Sequence, residues 1–243
     1  MRSTYNSLAM KIICICRRKK MNIAAFTGRA KAYAEARPSY PDEAVEYICK
    51  LVPQGATFAD IGAGTGKFTE LIARCGYEIF AVEPNSDMRE QLTITLASFP
   101  NAKIINGTAE ATTLPKNCVE VITNAQALRR FDLGMFRAEC LRIGKPNPIV
   151  VSIWNDETTL SPAYEKITEI FYRNPEVRKF PNPVYFTREK WLLNYSSMEG
   201  VPLEGDTGYE AYTTELNERF DHGSKNGILR LDFVTYVYSE RIV

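Results

Sequence analysis

Asp60-Ile61-Gly62-Ala63-Gly64-Thr65-Gly66 decides the fold of this 243-residue chain. The stretch closes a short apolar run, Thr57 to Ile61, that reads as a strand, and it opens Lys67 to Arg74, which reads as a helix. Its three glycines let the backbone turn sharply and let a ligand approach with no Cβ in the way. Their spacing is GxGxG. The dinucleotide fingerprint needs GxGxxG, and position 67 here is Lys, so a pyrophosphate would be badly served.

Outward from the loop the same alternation continues. Gly76 stops the first helix, because a C′ residue must tolerate positive φ, and Glu78 to Val82 is the next strand. Ser86 can cap a helix to about Leu96, and Lys103–Ile105, Val119–Thr123 and Pro148–Ile153 supply further strands. Upstream, Pro41 followed by Asp42 and Glu43 opens a helix to about Leu51. This rhythm predicts right-handed βαβ crossovers in an α/β, Rossmann-like, doubly wound and mostly parallel seven-stranded sheet.

Past Trp154 the rhythm changes. Tyr164–Tyr172 and Glu210–Phe220 look helical, Val184–Thr187 is a short extended piece, and Leu229–Tyr238 alternates as an antiparallel edge strand. The expectation is one domain over residues 22–243, with its binding core at about 42–154 and a small helical cap with the C-terminal strands at about 155–243. Such tails gather at the carboxyl ends of the strands, where ligands sit.

Two acids give the loop its meaning. Asp60 stands two residues before the first glycine, where a carboxylate suits an α-ammonium group and repels a diphosphate. Glu83, at the end of the next strand, is placed to accept hydrogen bonds from both ribose hydroxyls. A turn that merely joins strand to helix would explain the glycines but leave two strand-end carboxylates without a reason, and buried carboxylates are costly unless partnered.

On these residues the chain resembles the class I S-adenosylmethionine (SAM)-dependent methyltransferases. Asp60 to Gly66 is similar to the family's first motif, and Ala81-Val82-Glu83-Pro84 to its ribose-binding strand end. Gly107-Thr108-Ala109-Glu110 resembles the adenine-side loop, and Asn124-Ala125-Gln126-Ala127 the segment facing the transferred methyl. Phe26-Thr27-Gly28-Arg29-Ala30, Tyr33 and Arg37-Pro38-Ser39-Tyr40-Pro41 resemble the first helix of the type 11 small-molecule subgroup. The resemblance implies a site for SAM, with S-adenosylhomocysteine as product. Its contacts would come from Tyr33, Arg37, Asp60, Gly62, Ala63, Gly64, Gly66, Glu83, Pro84, Thr108, Ala109, Glu110, Asn124, Ala125 and Gln126. Arg37 either reaches the methionine carboxylate or pins the first helix.

The departures matter as much. Thr108 stands where many relatives place Asp, which shifts the expected adenine contact to Glu110, and Leu128-Arg129-Arg130-Phe131-Asp132 replaces a common His-Trp before Phe-Asp. The stretch from Phe171 to Trp191 looks short for the family's sixth strand and its flanking loop. Methyl transfer from a sulfonium is an in-line displacement that needs alignment and exclusion of water more than a base. An oxygen acceptor, a carboxylate above all, fits that demand, and Arg129 or Arg130 would orient it unless the pair is merely solvated. His222, the sole histidine, is either a base in the cap or an ordinary helix-end residue. Tyr164, Tyr172, Tyr185 and Tyr195 either line an acceptor pocket or pack the cap.

Composition sets the outer bounds. Thirty Lys and Arg against 29 Asp and Glu leave no global field to favour nucleic acid or an anionic membrane. The six cysteines, with no CxxC pair and no histidine at zinc spacing, read as reduced cytosolic thiols and no metal site. Leu8 to Cys16 is apolar apart from Lys11 and runs into Arg17-Arg18-Lys19-Lys20, the reverse of a secretory signal and too short to span a bilayer. Residues 1–21 are therefore expected to be a disordered or non-native extension, with Met21 as an alternative start. The expectation is a cytoplasmic monomer or homodimer acting on a small molecule. The rival readings are a SAM-binding protein without activity and, on a similar sheet, an NAD-dependent oxidoreductase.

Overall fold

The computed structural model describes residues 26–157 and 161–243; the expectations for residues 1–21 lie outside the described residues. Two helices, α1 (Ala30–Ala36) and α2 (Asp42–Lys50), lead into β1 (Thr57–Ile61), α3 (Lys67–Arg74), β2 (Glu78–Val82), α4 (Ser86–Leu96), β3 (Ala102–Ile105) and β4 (Val119–Ala125). A 3₁₀ turn at Leu128–Arg130 precedes α5 (Leu133–Ile143), β5 (Gly144–Glu157), α6 (Pro162–Phe171), β6 (Glu176–Phe186), α7 (Arg188–Ser196), α8 (Tyr209–Gly223) and β7 (Leu229–Arg241).

The seven strands form one sheet in the order β3-β2-β1-β4-β5-β7-β6. β1 pairs in parallel with β2 and β4, β2 with β3, and β4 with β5, while β7 is antiparallel to β5 and β6. The predicted Rossmann-like sheet with an antiparallel C-terminal strand is therefore observed. Its order reverses between β1 and β4, which opens a crevice at the carboxyl ends of those two strands.

Both faces are buried at the centre of the sheet, so β1, β4 and the middle of β5 are buried at successive positions instead of alternating. Phe58, Val121 and Ile153 pack on one face against Ile48 of α2 and Phe68 and Ile72 of α3. Ala59, Ile122 and Trp154 pack on the other against Phe136 and Cys140 of α5 and Phe171 of α6. The cap has its own small core of Phe186, Trp191, Leu216, Phe220 and Leu229.

Three local expectations change. Leu229–Tyr238 was expected at the sheet edge, but β7 lies between β5 and β6, and the edge belongs to β6. The short piece at Val184–Thr187 is the end of that longer strand, β6, which runs Glu176–Phe186 and carries Pro181 and Pro183 on its exposed side. Prolines are tolerated there because an edge strand has one row of N–H groups with no neighbour to serve. The cap of α4 is Asn85, whose side chain accepts from the Met88 N–H at 2.9 Å, and Ser86 is the first helical residue.

Candidate functional site

β1 delivers Asp60 to the crevice, and the glycine loop turns over it. The Gly62 and Ala63 N–H groups donate to the Val82 carbonyl at 2.9 and 3.0 Å, which ties the loop to β2. Gly62, Gly64 and Gly66 all have positive φ (71°, 58° and 89°), where an L side chain is strained. Two of them are also fixed by packing: a Cβ would lie 2.9 Å from Ala127 Cβ at Gly62, and 2.7 Å from Leu92 Cδ1 at Gly66. Gly64 differs, because nothing lies within 4 Å of its missing Cβ. It is the open glycine of the three, the one over which a ligand can lie against bare backbone.

The structure brings both acids to this loop. Glu83 is buried at the end of β2, where it accepts from the Gly64 N–H and the Asn85 N–H, each at 2.8 Å. Burial raises its pKa, and the two N–H groups with Arg89 and Arg130 pull against that rise. Asp60 is fully sealed, with Oδ2 accepting from Thr69 Oγ1 at 2.6 Å and Oδ1 from Thr123 Oγ1 at 3.0 Å. Burial pushes its carboxyl up to about 6 despite those hydroxyls, and the Glu83 charge adds to the rise. The sequence reading missed both threonines. Thr123 was within reach of it, since Thr123 is the β4 residue paired with Asp60 in register.

Beside the loop, β4 ends at Asn124 and Ala125, and Gln126 follows. Asn124 Nδ2 donates to Ser152 Oγ at 2.9 Å, Ser152 shares a 2.6 Å hydrogen bond with the Tyr172 hydroxyl, and Asn124 Oδ1 is buried with no partner among the described residues. Gln126 takes a left-handed φ of 60°, uncommon outside glycine and a mark of an over-determined backbone. Its Nε2 donates to the Asn155 carbonyl at 3.0 Å and its Oε1 accepts from the Tyr164 hydroxyl at 3.1 Å. On the adenine side, Ala109 is buried, Thr108 forms a bridge with Ala111, and Pro84 is half-buried behind Glu83. Glu110 accepts from the Asp132 N–H at 2.9 Å.

α1 and α7 pack together and form part of the cap. Arg29, a member of the quoted first-helix motif with no role of its own assigned there, is buried and donates to the carbonyls of Ser196 at 2.7 Å and Val201 at 2.6 Å, so it fastens α1 to α7. Arg37 donates from Nε to Ser197 Oγ at 2.9 Å and lies 5.0 Å from the centre of the Tyr33 ring. Its pKa is lowered by burial, with Tyr33 opposing and the nearby Arg129 charge lowering it further. Arg129 lies 5.8 Å from the Tyr164 ring centre. Among the described residues neither arginine is ion-paired with a carboxylate.

Arg130 is committed elsewhere: its Nη1 meets Glu199 at 2.6 Å and its guanidinium covers the Phe26 ring at 4.4 Å. Buried Tyr40, whose pKa is raised by desolvation, feels the charges of Tyr33, Asp60, Tyr164 and Arg37, so these groups share one neighbourhood. Tyr195 packs at a tilt against Trp191 at the cap, whereas Tyr172 is buried in the sheet core and Tyr185 is exposed on β6. His222 is exposed in the last turn of α8, a helix that packs on α7 and β7.

Against known proteins, residues 59–152 match the family model described as a methyltransferase domain, a span that runs from β1 to β5 and holds the loop and both acids. Over that span the chain is similar to a methyltransferase domain. An uncharacterized methyltransferase of Mycobacterium tuberculosis is 34% identical over 141 residues, which are 58% of this chain and 55% of that protein. An uncharacterized methyltransferase-like protein of Schizosaccharomyces pombe is 30% identical over 158 residues, 64% of this chain and 60% of that protein. The match thus spans a little over half the length of these curated relatives.

Among solved structures, a candidate type II methyltransferase from Anaeromyxobacter dehalogenans superposes with a TM-score of 0.62 at 19% identity, covering 85% of this chain and 98% of that one. A phospholethanolamine N-methyltransferase of Haemonchus contortus, solved with phosphomonomethylethanolamine and S-adenosylhomocysteine, gives a TM-score of 0.55 at 14% identity, covering 93% of this chain and 61% of that one. These two likenesses establish the methyltransferase fold. Among the described residues no helix is long and apolar enough to cross a membrane.

Proposed function

We propose that this chain transfers the methyl group of SAM to a small anionic acceptor, with a carboxylate oxygen as the atom methylated. One observation carries the acceptor class: Arg37 and Arg129 stand close enough to repel each other, yet neither has a carboxylate partner among the described residues. Arg37 is desolvated, and a guanidinium in such a place costs free energy unless an anion joins it, while Arg129 stands exposed at the edge of the same neighbourhood, where an acceptor can reach it. Arg37 would take the methionine carboxylate of the donor and Arg129 that of the acceptor. Arg130 is the weaker candidate because Glu199 already holds it.

The donor's fit rests on the open backbone over Gly64, the buried acid at Glu83 and the unpartnered Asn124 Oδ1. Glu83 and Pro84 would hold the ribose, Thr108 to Glu110 the adenine, and Gly62 to Gly66 with Tyr33 the amino-acid end, above the sealed Asp60. SAM supplies a sulfonium-activated methyl. A carboxylate acceptor is already a nucleophile at neutral pH, so the chain's task is to orient it and exclude water. Gln126, locked between Tyr164 and the Asn155 carbonyl, is a fixed wall for that purpose.

The test offers labelled SAM and a metabolite extract to the purified protein and identifies the product by mass spectrometry. A labelled methyl ester, with melting raised by SAM and S-adenosylhomocysteine and not by NAD, is the expected result. Arg129→Ala should raise the acceptor's KM at least about tenfold and leave SAM affinity unchanged, whereas Arg37→Ala should weaken SAM binding. Stabilisation by NAD alone, or labelled product formed on an uncharged acceptor, would overturn the proposal.

A further inference from the structure

Between α1 and α2 the chain runs Arg37-Pro38-Ser39-Tyr40-Pro41, and each proline restricts its own φ and the residue before it. Arg37 is accordingly extended (φ −66°, ψ 137°), and so is Pro41 (φ −68°, ψ 145°). The segment is a stiff strut. Tyr40 anchors its far end, packing edge-on against Phe68 with ring centroids 5.5 Å apart. Its middle is held by side chains to which the sequence assigned no role. The Ser39 carbonyl accepts from Asn155 Nδ2 at 3.0 Å and from Asn182 Nδ2 at 2.9 Å. Asn155 Oδ1 accepts in turn from the hydroxyl of buried Thr235 at 2.6 Å and from Asn182 Nδ2 at 3.2 Å.

We propose that Asn155 is a positioning residue: its side chain fixes the strut that carries Arg37, and its backbone carbonyl fixes the Gln126 amide, so one residue of β5 sets the donor's carboxylate clamp and the acceptor's wall in a single frame. This rests on the proposed role of Arg37 as the contact for the methionine carboxylate. Asn155 lies opposite Thr235 in the β5–β7 register, and Asn182 comes from β6, so three strands brace the Ser39 carbonyl. Only Pro38 separates Ser39 from Arg37, and a displacement of that carbonyl therefore reaches Arg37 with little loss. A guanidinium that must meet a carboxylate as a two-pronged fork is sensitive to such a displacement.

The experiment titrates the full chain and its variants calorimetrically with S-adenosylhomocysteine and with 5′-methylthioadenosine, which lacks the amino-acid end. Asn155→Ala keeps the carbonyl that serves Gln126 and removes the hold on Ser39. It should weaken S-adenosylhomocysteine about tenfold, as loss of a hydrogen bond of ordinary net strength does, and leave methylthioadenosine within about twofold. Asn155→Asp keeps an oxygen for Thr235 and Asn182 but offers the Ser39 carbonyl no N–H, so it should not restore the loss; it also carries the test if the alanine variant does not fold. Arg37→Ala should show the same selective loss, and Asn155→Ala added to it should weaken binding no further. Equal weakening of both nucleosides, the mark of a merely structural role, overturns the proposal. So does full affinity in Asn155→Asp, or a further tenfold loss in the double variant. An unmutated chain that does not bind S-adenosylhomocysteine instead overturns the donor site itself, and this role of Asn155 with it.

Discussion

The sheet that carries the glycine loop and the cap that joins it are held together by different physics. The sheet is sandwiched between two apolar layers, with Phe58, Ile61, Ile122 and Trp154 wholly removed from solvent. The cap has a five-residue buried core, two of whose members, Phe186 and Leu229, belong to β6 and β7, and polar contacts tie α1 to the α7 segment and that segment to the loop after β4: Arg29 to two carbonyls, Arg37 to Ser197, Arg130 to Glu199. Apolar burial resists any displacement, whereas a few hydrogen bonds can be exchanged for water at small net cost. The seam between α1 and the α7 segment is therefore easier to part than the sheet.

Four perturbations break or sharpen this contrast. The largest effect is expected from Trp191→Ala, which empties the cap core and removes the 2.8 Å bond from Trp191 Nε1 to the Leu216 carbonyl. It should cost about 3–5 kcal/mol. Hydrogen exchange should show lost protection in α7 and α8 with β1 and β4 unchanged; equal loss in both regions would show that cap and sheet open as one unit. Next, Gly66→Val puts a branched Cβ at positive φ against Leu92 and should cost about 2–4 kcal/mol. Here the fall should appear in global Tm.

Third come two carboxyls of the sheet half that titrate in opposite senses. Burial raises Glu139, but hydrogen bonds from Arg142 and Thr112 overcome it and hold the carboxyl at about 2, against an ordinary 4.5. A depressed folded pKa gives stability that is present above pH 4.5 and lost as pH falls toward 2, on the order of 2–3 kcal/mol in urea unfolding. Asp60 runs the other way: its folded value of about 6 lies above 3.8, so its contribution is most favourable below pH 3.8 and declines as pH rises through 6. Asp60→Asn should flatten that decline and Glu139→Gln the other. The smallest effect belongs to Glu199→Gln, which cuts the partly exposed pair with Arg130 and should cost less than about 1 kcal/mol. Its Tm shift should shrink in high salt, as screening of a surface pair demands.

The same division explains what the sequence made legible. In the sheet half, the ends of β1, α3 and β2 fall where the apolar runs and glycines put them, because burial on both faces leaves each run continuous and each boundary marked. Glu83 and the loop were legible for the same reason, being fixed by short-range spacing. β6 was mostly hidden, since Pro181 and Pro183 argue against a strand until one knows that the strand lies at an edge. α7 was also missed, although Thr187 accepting from the Lys190 N–H is an ordinary N-cap signal. Arg29, Ser197 and Glu199 join parts of the chain more than 60 residues apart, and no local pattern encodes such meetings.

The place of β7 between β5 and β6 has a consequence for how the molecule is made. A ribosome that has finished β6 has made a strand with no partner, because the residues that join it to β5 are the last strand in the sequence. Until Leu229 to Arg241 emerge, the edges of β5 and β6 that β7 will cover stay open, each able to recruit another chain. The prolines on β6 then guard the growing polypeptide against mispairing during synthesis, on the side that β7 does not later cover.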